Sequence, residues 1–115
     1  MSNNSGNSNQ KQQLSSSEQF KLQQRNMWDN VAAAWQYWWQ TFEDGAQKVS
    51  DTLVVDLAEL KPGERALDIA TGIGEPAVTA ANRVKPNGRV IATDISPQMI
   101  KIKSEIPWLG RSNGI

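Results

Sequence analysis

The stretch Arg65-Ala-Leu-Asp-Ile-Ala-Thr-Gly-Ile-Gly-Glu-Pro-Ala77 decides the fold of this chain. Its first six residues, 65–70, form a short apolar run between structure-breaking residues, which is typical of a strand buried on both faces. A glycine-containing turn over residues 71–76 follows, and Pro76 occupies the position at which a helix best tolerates proline. The stretch therefore predicts a strand, a turn and a helix that runs to about Val84.

A second strand and a second helix follow this unit. Lys85-Pro-Asn-Gly88 has the composition of a turn, and Arg89-Val-Ile-Ala-Thr93 is a β-type run. Ser96 precedes Pro97, which is typical of a helix N-cap followed by a first-turn proline. The order strand, helix, strand, helix predicts an α/β fold with a parallel sheet and a right-handed crossover.

Two further helices are predicted upstream, within residues 20–61. Large apolar side chains recur three and four residues apart over residues 28–42, which is the period of one helical face. This aromatic-faced helix is expected to end near Gly45. A second apolar stripe follows over residues 49–60, until Pro62-Gly63 stops it.

The segment before these helices differs sharply in composition. Residues 1–19 consist mostly of Asn, Ser and Gln, which predicts a disordered polar tail. Four of the five tryptophans then lie between Trp28 and Trp39. Three interpretations of this aromatic helix stay open: it packs in the core, it forms a lid over a ligand, or it contacts a membrane surface.

The composition of the 115-residue chain excludes several functions. There is no cysteine and no histidine, which excludes disulfides, thiolate zinc sites and Ser-His-Asp or Cys-His catalysis, and we expect no metal site. The 12 Lys plus Arg residues balance 12 Asp plus Glu residues, so we expect no nucleic-acid partner. No apolar run reaches the roughly 18 residues that span a bilayer, and we expect a cytoplasmic protein without an integral membrane segment.

The turn after the first strand carries a ligand-binding pattern. Gly72-Ile-Gly74-Glu-Pro-Ala77 matches G-x-G-x-x-G/A between a strand and a helix, and Asp94 lies 20 residues beyond Gly74 at the end of the next strand. The first glycine allows the tight turn, the second lets a ligand approach the backbone, and Ala77 keeps the helix close to the sheet. Asp94 is positioned to accept hydrogen bonds from two ribose hydroxyls. The pattern favours an adenosine-type cofactor over a purely structural turn.

The charge of this turn distinguishes between adenosine cofactors. A dinucleotide places its pyrophosphate at the N-terminus of the helix, where free N–H groups and the helix dipole attract anions. Glu75 occupies that place beside Pro76, which has no N–H to donate, and Asp68 adds a second carboxylate nearby. S-adenosyl-L-methionine carries a sulfonium and an ammonium group and no phosphate. The pattern favours this methyl donor, and an NAD-dependent oxidoreductase is the less favoured alternative.

Two motifs, Leu67-Asp-Ile-Ala-Thr-Gly-Ile-Gly-Glu-Pro-Ala77 and Ala92-Thr-Asp-Ile-Ser-Pro-Gln-Met99, resemble those of the class I S-adenosylmethionine-dependent methyltransferases. The chain looks closest to the group that includes quinone-biosynthesis C-methyltransferases, over residues 28–100. The resemblance implies that the first motif lines the methionine part of the cofactor, that Asp94 holds the ribose, and that Ile95 and Met99 flank the adenine. The candidate cofactor-binding residues are Asp68, Ala70, Thr71, Gly72, Gly74, Asp94, Ile95, Ser96 and Met99.

The resemblance also shows what this chain lacks. Such enzymes have a doubly wound, Rossmann-like sheet of seven strands, whereas two strands are visible here, and Pro107 interrupts the last helix. We therefore interpret residues 62–115 as a partial, truncated S-adenosylmethionine-binding domain. We expect a small-molecule acceptor, unassigned catalytic residues, little activity in this chain alone and self-association through exposed sheet edges. A non-catalytic module that binds a partner by strand addition is the alternative.

Overall fold

The computed structural model of the protein describes residues 13–105. These residues form an α/β arrangement, as the sequence predicts. In chain order the elements are α1 (Ser16–Tyr37), α2 (Trp39–Asp51), a π-helical segment (Thr52–Leu57), β1 (Arg65–Ile69), α3 (Ala77–Val84), β2 (Arg89–Thr93) and α4 (Pro97–Glu105).

Helix α1 begins earlier than the composition of the N-terminal segment suggests. A capping box starts it: the Oγ of Ser15 accepts a hydrogen bond from the backbone N of Glu18 at 3.3 Å, and Oε2 of Glu18 accepts one from the backbone N of Ser15 at 2.8 Å. The prediction of a disordered tail over residues 1–19 is therefore wrong for residues 16–19, which are helical. The part of that prediction that concerns residues 1–12 lies outside the described residues.

The aromatic helix does not end near Gly45, and that prediction is wrong. The break falls at Trp38, with φ −91° and ψ 7°, and α2 then continues through Gly45 to Asp51. A glycine in an exposed helix costs only about 1 kcal/mol relative to alanine, so flanking helical residues override it. The rings of Trp35 and Phe42 pack across the break with their centroids 4.5 Å apart. The stripe predicted over residues 49–60 is divided between the end of α2 and the π-helical segment, which ends at Leu57, before the predicted stop at Pro62-Gly63.

The two strands pair in parallel, which confirms the predicted sheet. Arg65 pairs with Arg89 and Ile69 with Thr93, and α3 packs on one face of the pair. Val54, Ala77, Ala80, Ala81, Val84 and Val90 form the buried cluster on that face.

The opposite face of the sheet is open, so the prediction of a first strand buried on both faces is wrong. Leu67 is 61% exposed and Ile69 is 73% exposed, and on the neighbouring strand Ile91 is 50% exposed. Within residues 13–105, the helical layer that packs on the two strands lies on the other face. The alternating side chains of a strand point to opposite faces, so these three apolar residues share the uncovered face.

A second buried cluster joins the N-terminal helix to the α/β unit. It consists of Ala32, Ile73, Val78, Met99 and Ile102, with Val31, Trp35 and Trp39 packed against it. Part of the tryptophan stripe therefore belongs to the core. Within the described part of the chain, no helix is long and apolar enough to cross a membrane.

Candidate cofactor-binding site

A cavity of about 420 Å³ lies between the N-terminal helices and the loop that follows β1. Its helical wall carries the side chains of Trp28, Trp35, Trp39, Phe42, Glu43 and Ala46. Its opposite wall is formed by Ala70, Thr71, Gly72, Ile73, Glu75, Asp94, Ile95 and Met99. The cavity thus brings the aromatic helix and the glycine-containing turn together, although about 30 residues of sequence separate them.

The turn has a backbone shape that few residue types adopt. Ala70, Gly72 and Gly74 have positive φ angles of 62°, 57° and 123°. A left-handed conformation costs a residue with a Cβ about 1–2 kcal/mol, and such strain is typical of functional turns. A hydrogen bond of 2.9 Å from the backbone N of Thr71 to the carbonyl O of Thr93 ties the turn to the end of β2. This hydrogen bond therefore fixes the turn in a position where its residues line the cavity.

Asp94 joins the two strand ends through its carboxylate. Its Oδ2 accepts a hydrogen bond of 2.8 Å from the backbone N of Gly72, and its Oδ1 accepts one of 2.9 Å from the backbone N of Ser96. Each carboxylate oxygen has a second lone pair for a further donor. Asp94 can therefore hold the turn in place and still accept hydrogen bonds from a diol in the cavity.

Ser96 is fully buried and has a structural place behind the cavity wall. Its Oγ accepts a hydrogen bond of 3.2 Å from the backbone N of Met99, which confirms the predicted N-cap of α4. The same hydroxyl donates a hydrogen bond to the carboxylate of Asp29 on α1. Asp29 also accepts a hydrogen bond of 3.3 Å from the backbone N of Gln98. The sequence analysis missed Asp29, because no local pattern links it to a residue 67 positions away.

The structure brings together six of the candidate residues in the cavity wall: Ala70, Thr71, Gly72, Asp94, Ile95 and Met99. The other candidates, Asp68, Gly74 and Ser96, do not line this cavity. Gly74 and Ser96 are buried behind it. Asp68 faces a separate cavity of about 210 Å³ beside α3, and its Oδ2 is buried without a hydrogen-bond partner among the described residues. Asp68 shares a strand face with Ala66, on the side that α3 covers.

Two glutamates give the cavity wall its electrostatic character. Burial raises the pKa of Glu75, with a smaller contribution from the charge of Asp51, while a hydrogen bond of 2.8 Å from the Oγ1 of Thr79 opposes the shift. Burial also raises the pKa of Glu43, and the nearby charges of Glu75 and Asp44 add to it. A cationic group that enters the cavity would stabilise the charged form of both carboxylates.

Glu43 is a second residue that the sequence analysis missed. Its Oε2 is buried in the cavity wall without a hydrogen-bond partner among the described residues. A buried acceptor without a partner is uncommon, and it favours a ligand with a donor group at this place. The period of the helix places Glu43 beside Phe42 and Trp39, but only the packing of α2 against the turn shows that it faces the cavity.

Comparison with known proteins gives a consistent result. A family model described as the ubiE/COQ5 methyltransferase family matches residues 17–106. A ubiquinone/menaquinone biosynthesis C-methyltransferase from Ectopseudomonas mendocina (strain ymp) is 32% identical over 73 residues, which is 64% of this chain and 28% of that protein. The protein of the same name from Methylococcus capsulatus is 30% identical over 77 residues, 67% of this chain and 31% of that protein.

These relatives are much longer than the chain. A third, from Bordetella avium (strain 197N), is 33% identical over 73 residues, which is again 28% of its length. The chain therefore spans less than a third of the length of each of these three relatives. No solved structure matches the chain with statistical significance.

Proposed function

We propose that this chain, which belongs to the ubiE/COQ5 methyltransferase family, binds S-adenosyl-L-methionine in the cavity between the glycine turn and the aromatic wall. It would serve as the donor-binding part of a methyltransferase that acts on a small-molecule acceptor. The observation that supports this proposal most directly is the position of Asp94, whose carboxylate holds Gly72 and lines the same cavity as three tryptophans.

The size and chemistry of the cavity suit this cofactor. Ligand pockets commonly enclose roughly 300–1,000 Å³, and the volume of about 420 Å³ lies within that range. A Cβ added to Gly72 would meet nothing within 4 Å, so the backbone of the turn is open to a ligand. Aromatic faces and carboxylates together favour a cation, which this cofactor provides at its sulfur and its amino group.

We assign a role to each part of the wall. Asp94 would accept hydrogen bonds from the ribose hydroxyls, and Ile95 and Met99 would enclose the adenine. The backbone of Ala70, Thr71 and Gly72 would lie along the methionine part. Gly74 and Ser96 would support this wall from behind. Asp68 does not line the cavity, so its effect on the cofactor would be indirect, through the position of β1.

The residues present would act by binding and orientation. When bound, S-adenosyl-L-methionine supplies an electrophilic methyl group on a positively charged sulfur. Trp35 and Trp39 would exclude water and contact the cation with their ring faces. Glu43, on the same helical wall, and Glu75, on the opposite wall, would orient the positive charge. Placing a methyl group in line with an acceptor removes much of the entropic barrier to transfer, so proximity is the main effect that these residues provide.

The same wall disfavours a dinucleotide. The N-cap of α3 is Pro76, which has no N–H to donate, and Glu75 directly precedes it. The helix N-terminus that normally receives a pyrophosphate therefore carries a carboxylate, and it has one N–H donor fewer because of Pro76. An oxidoreductase that uses NAD is the weaker proposal for this reason.

Isothermal titration calorimetry of the 115-residue chain with S-adenosylhomocysteine and with NADH tests the proposal. We expect saturable binding of S-adenosylhomocysteine and none of NADH at the same concentrations. Glu75→Gln serves as a matched variant, because it removes the charge while retaining an acceptor for Thr79. Preferential binding of NADH by the unaltered chain would overturn the assignment.

A second proposal concerns self-association. The uncovered sheet face exposes Leu67, Ile69 and Ile91 side by side, and apolar patches of this kind commonly mark contact surfaces. We propose that this face and the adjoining strand edges associate with a second copy of the chain, whether or not the cavity holds a ligand.

A further inference from the structure

Within residues 13–105, hydrogen bonds attach helix α1 to the cofactor-binding wall at Asp29. Asp29 lies next to Trp28, which lines the cavity, and its carboxylate accepts hydrogen bonds from the hydroxyl of Ser96 and from the backbone N of Gln98 at 3.3 Å. The rest of the contact between α1 and α4 includes the apolar cluster around Ala32 and Met99. In the described part of the chain, Asp29 therefore links α1, which carries part of the aromatic wall, to the start of α4 by hydrogen bonds.

This link continues to the opposite wall without interruption. The backbone N of Ser96 donates to Oδ1 of Asp94, and Oδ2 of Asp94 accepts from the backbone N of Gly72. The series Asp29, Ser96, Asp94, Gly72 therefore joins a helix on one side of the cavity to the glycine turn on the other. Both ends of the series adjoin residues that line the cavity.

We propose that Asp29 is a positioning residue that latches the aromatic wall onto the cofactor-binding turn. The proposal rests on the proposed function, since it assigns Asp29 to the same cavity. Asp29 accepts a hydrogen bond from the hydroxyl of Ser96. This contact fixes the serine as the N-cap of α4 and directs its backbone N toward Asp94. The same contact fixes the position of Trp28 across the cavity.

The burial of Ser96 explains why the link has an energetic consequence. Its side chain is fully buried, so loss of Asp29 leaves its hydroxyl without the acceptor that it has in the native packing. A buried donor without an acceptor is unfavourable, and the folded chain would respond by releasing α1 or rotating the hydroxyl away from the N-cap. Either response lowers the fraction of molecules in which both walls are correctly placed. The apparent affinity for a ligand falls in proportion to that fraction.

Four variants test the latch in the full 115-residue chain. Asp29→Ala removes the acceptor, Ser96→Ala removes the donor, and the double variant removes both. Asp29→Asn removes the charge but keeps an oxygen that accepts both hydrogen bonds. Asp56→Ala is the matched control, because Asp56 is exposed on the π-helical segment and lines none of the cavities described here.

Calorimetry with S-adenosylhomocysteine gives the first readout. We expect each alanine variant of the latch to raise the dissociation constant about tenfold. The double variant should be weakened by much less than the product of the two single effects, because both changes remove the same hydrogen bond between Asp29 and Ser96. Asp29→Asn should stay within about threefold of the unaltered chain, and Asp56→Ala should not change the affinity. Unchanged affinity in Asp29→Ala, or additive effects in the double variant, would overturn the latch.

Hydrogen exchange of the unliganded chain gives a readout that does not depend on the proposed cofactor. We expect Asp29→Ala to lose protection in the amides of residues 28–35, and Asp29→Asn and Asp56→Ala to retain it. If the unaltered chain does not bind S-adenosylhomocysteine but this pattern appears, the proposed function fails and the latch stands. Equal protection in all variants would refute the latch, including in a chain that binds the ligand.

Discussion

The carboxylate of Asp94 holds the backbone N of Gly72 at 2.8 Å, across 22 residues of sequence. This contact joins the end of β2 to the turn that follows β1. It gives the carboxylate a structural role in addition to the proposed contact with a ribose. The turn requires one oxygen acceptor, for the backbone N of Gly72. A diol has two hydroxyl groups and requires more than one acceptor.

Replacement of Asp94 separates these roles. We expect Asp94→Ala to weaken the binding of S-adenosylhomocysteine by about 2 kcal/mol or more, because it removes the proposed ribose acceptor and a support of the turn. Asp94→Asn should be intermediate, since the amide has one acceptor oxygen in place of two. Calorimetry measures both changes. Binding that is unchanged in Asp94→Ala would remove this residue from the site.

Gly74 should be the least replaceable residue of the turn. Its φ of 123° lies where side chains are strongly disfavoured, and we expect Gly74→Ala to lower the free energy of unfolding by about 1–3 kcal/mol. The matched control is Gly45→Ala, which lies in the exposed part of α2 with no atom within 4 Å of the added Cβ. That change should stabilise the chain by about 0.5–1 kcal/mol.

Urea unfolding, followed by circular dichroism, compares the two glycine variants. Opposite signs are expected for Gly74→Ala and Gly45→Ala. Stabilisation by Gly74→Ala would contradict the left-handed geometry of the turn, and destabilisation by Gly45→Ala would contradict the continuation of α2 through that position.

The half-buried carboxyl group of Glu75 predicts a pH-dependent stability. Burial, its largest cause, raises the pKa of Glu75 above the usual value of 4.5. Ionisation is therefore harder in the folded chain than in the unfolded chain, so this group lowers the free energy of unfolding as the pH rises above 4.5. We expect Glu75→Gln to unfold at the same temperature as the unaltered chain at pH 4 and at a higher temperature at pH 7.

Thermal unfolding over this pH range provides the test, with Asp56→Asn as an exposed control. The control variant should follow the unaltered chain at every pH. A stabilisation by Glu75→Gln that is equally large at pH 4 would show that charge is not the cause.

The uncovered sheet face predicts concentration-dependent association. Ile69 is 73% exposed on this face. We expect Ile69→Lys to shift the chain toward the monomer, because a charge on the strand disfavours apolar contacts and edge pairing between copies. Val49→Lys is the matched control, since Val49 is 68% exposed but lies on α2. Sedimentation equilibrium measures both. A chain that is monomeric before any substitution would contradict the proposed contact.

Local sequence patterns, such as helix caps and turn-forming residues, predicted the α/β unit well. Pro76 marks the start of α3 to within one residue, and Ser96 caps α4 as its position before Pro97 indicates. Both strands were found to within one residue because turn-forming residues bound them on each side. These elements depend on their own sequence more than on their neighbours.

The errors concern features that depend on packing. Gly45 is a helix-breaking residue by local preference, but the break lies at Trp38, where the rings of Trp35 and Phe42 pack across it. Asp29 reaches the site through a contact between distant segments, and no periodicity encodes such a contact. The alternation along β1 assigns Asp68 to one face, but only the position of α3 shows that this face lies away from the main cavity.

The distance in sequence between Asp29 and Ser96 has a consequence for how the chain acquires its native form. The two residues are 67 positions apart, so the chain between them must be synthesised before the two side chains can meet. Contacts between distant segments form slowly, because closing a long loop is entropically unfavourable. During translation, the first helix therefore emerges well before its docking surface exists. Its apolar residues Ala32 and Trp35 therefore lack their packing partners Met99 and Ile102 until α4 has left the ribosome.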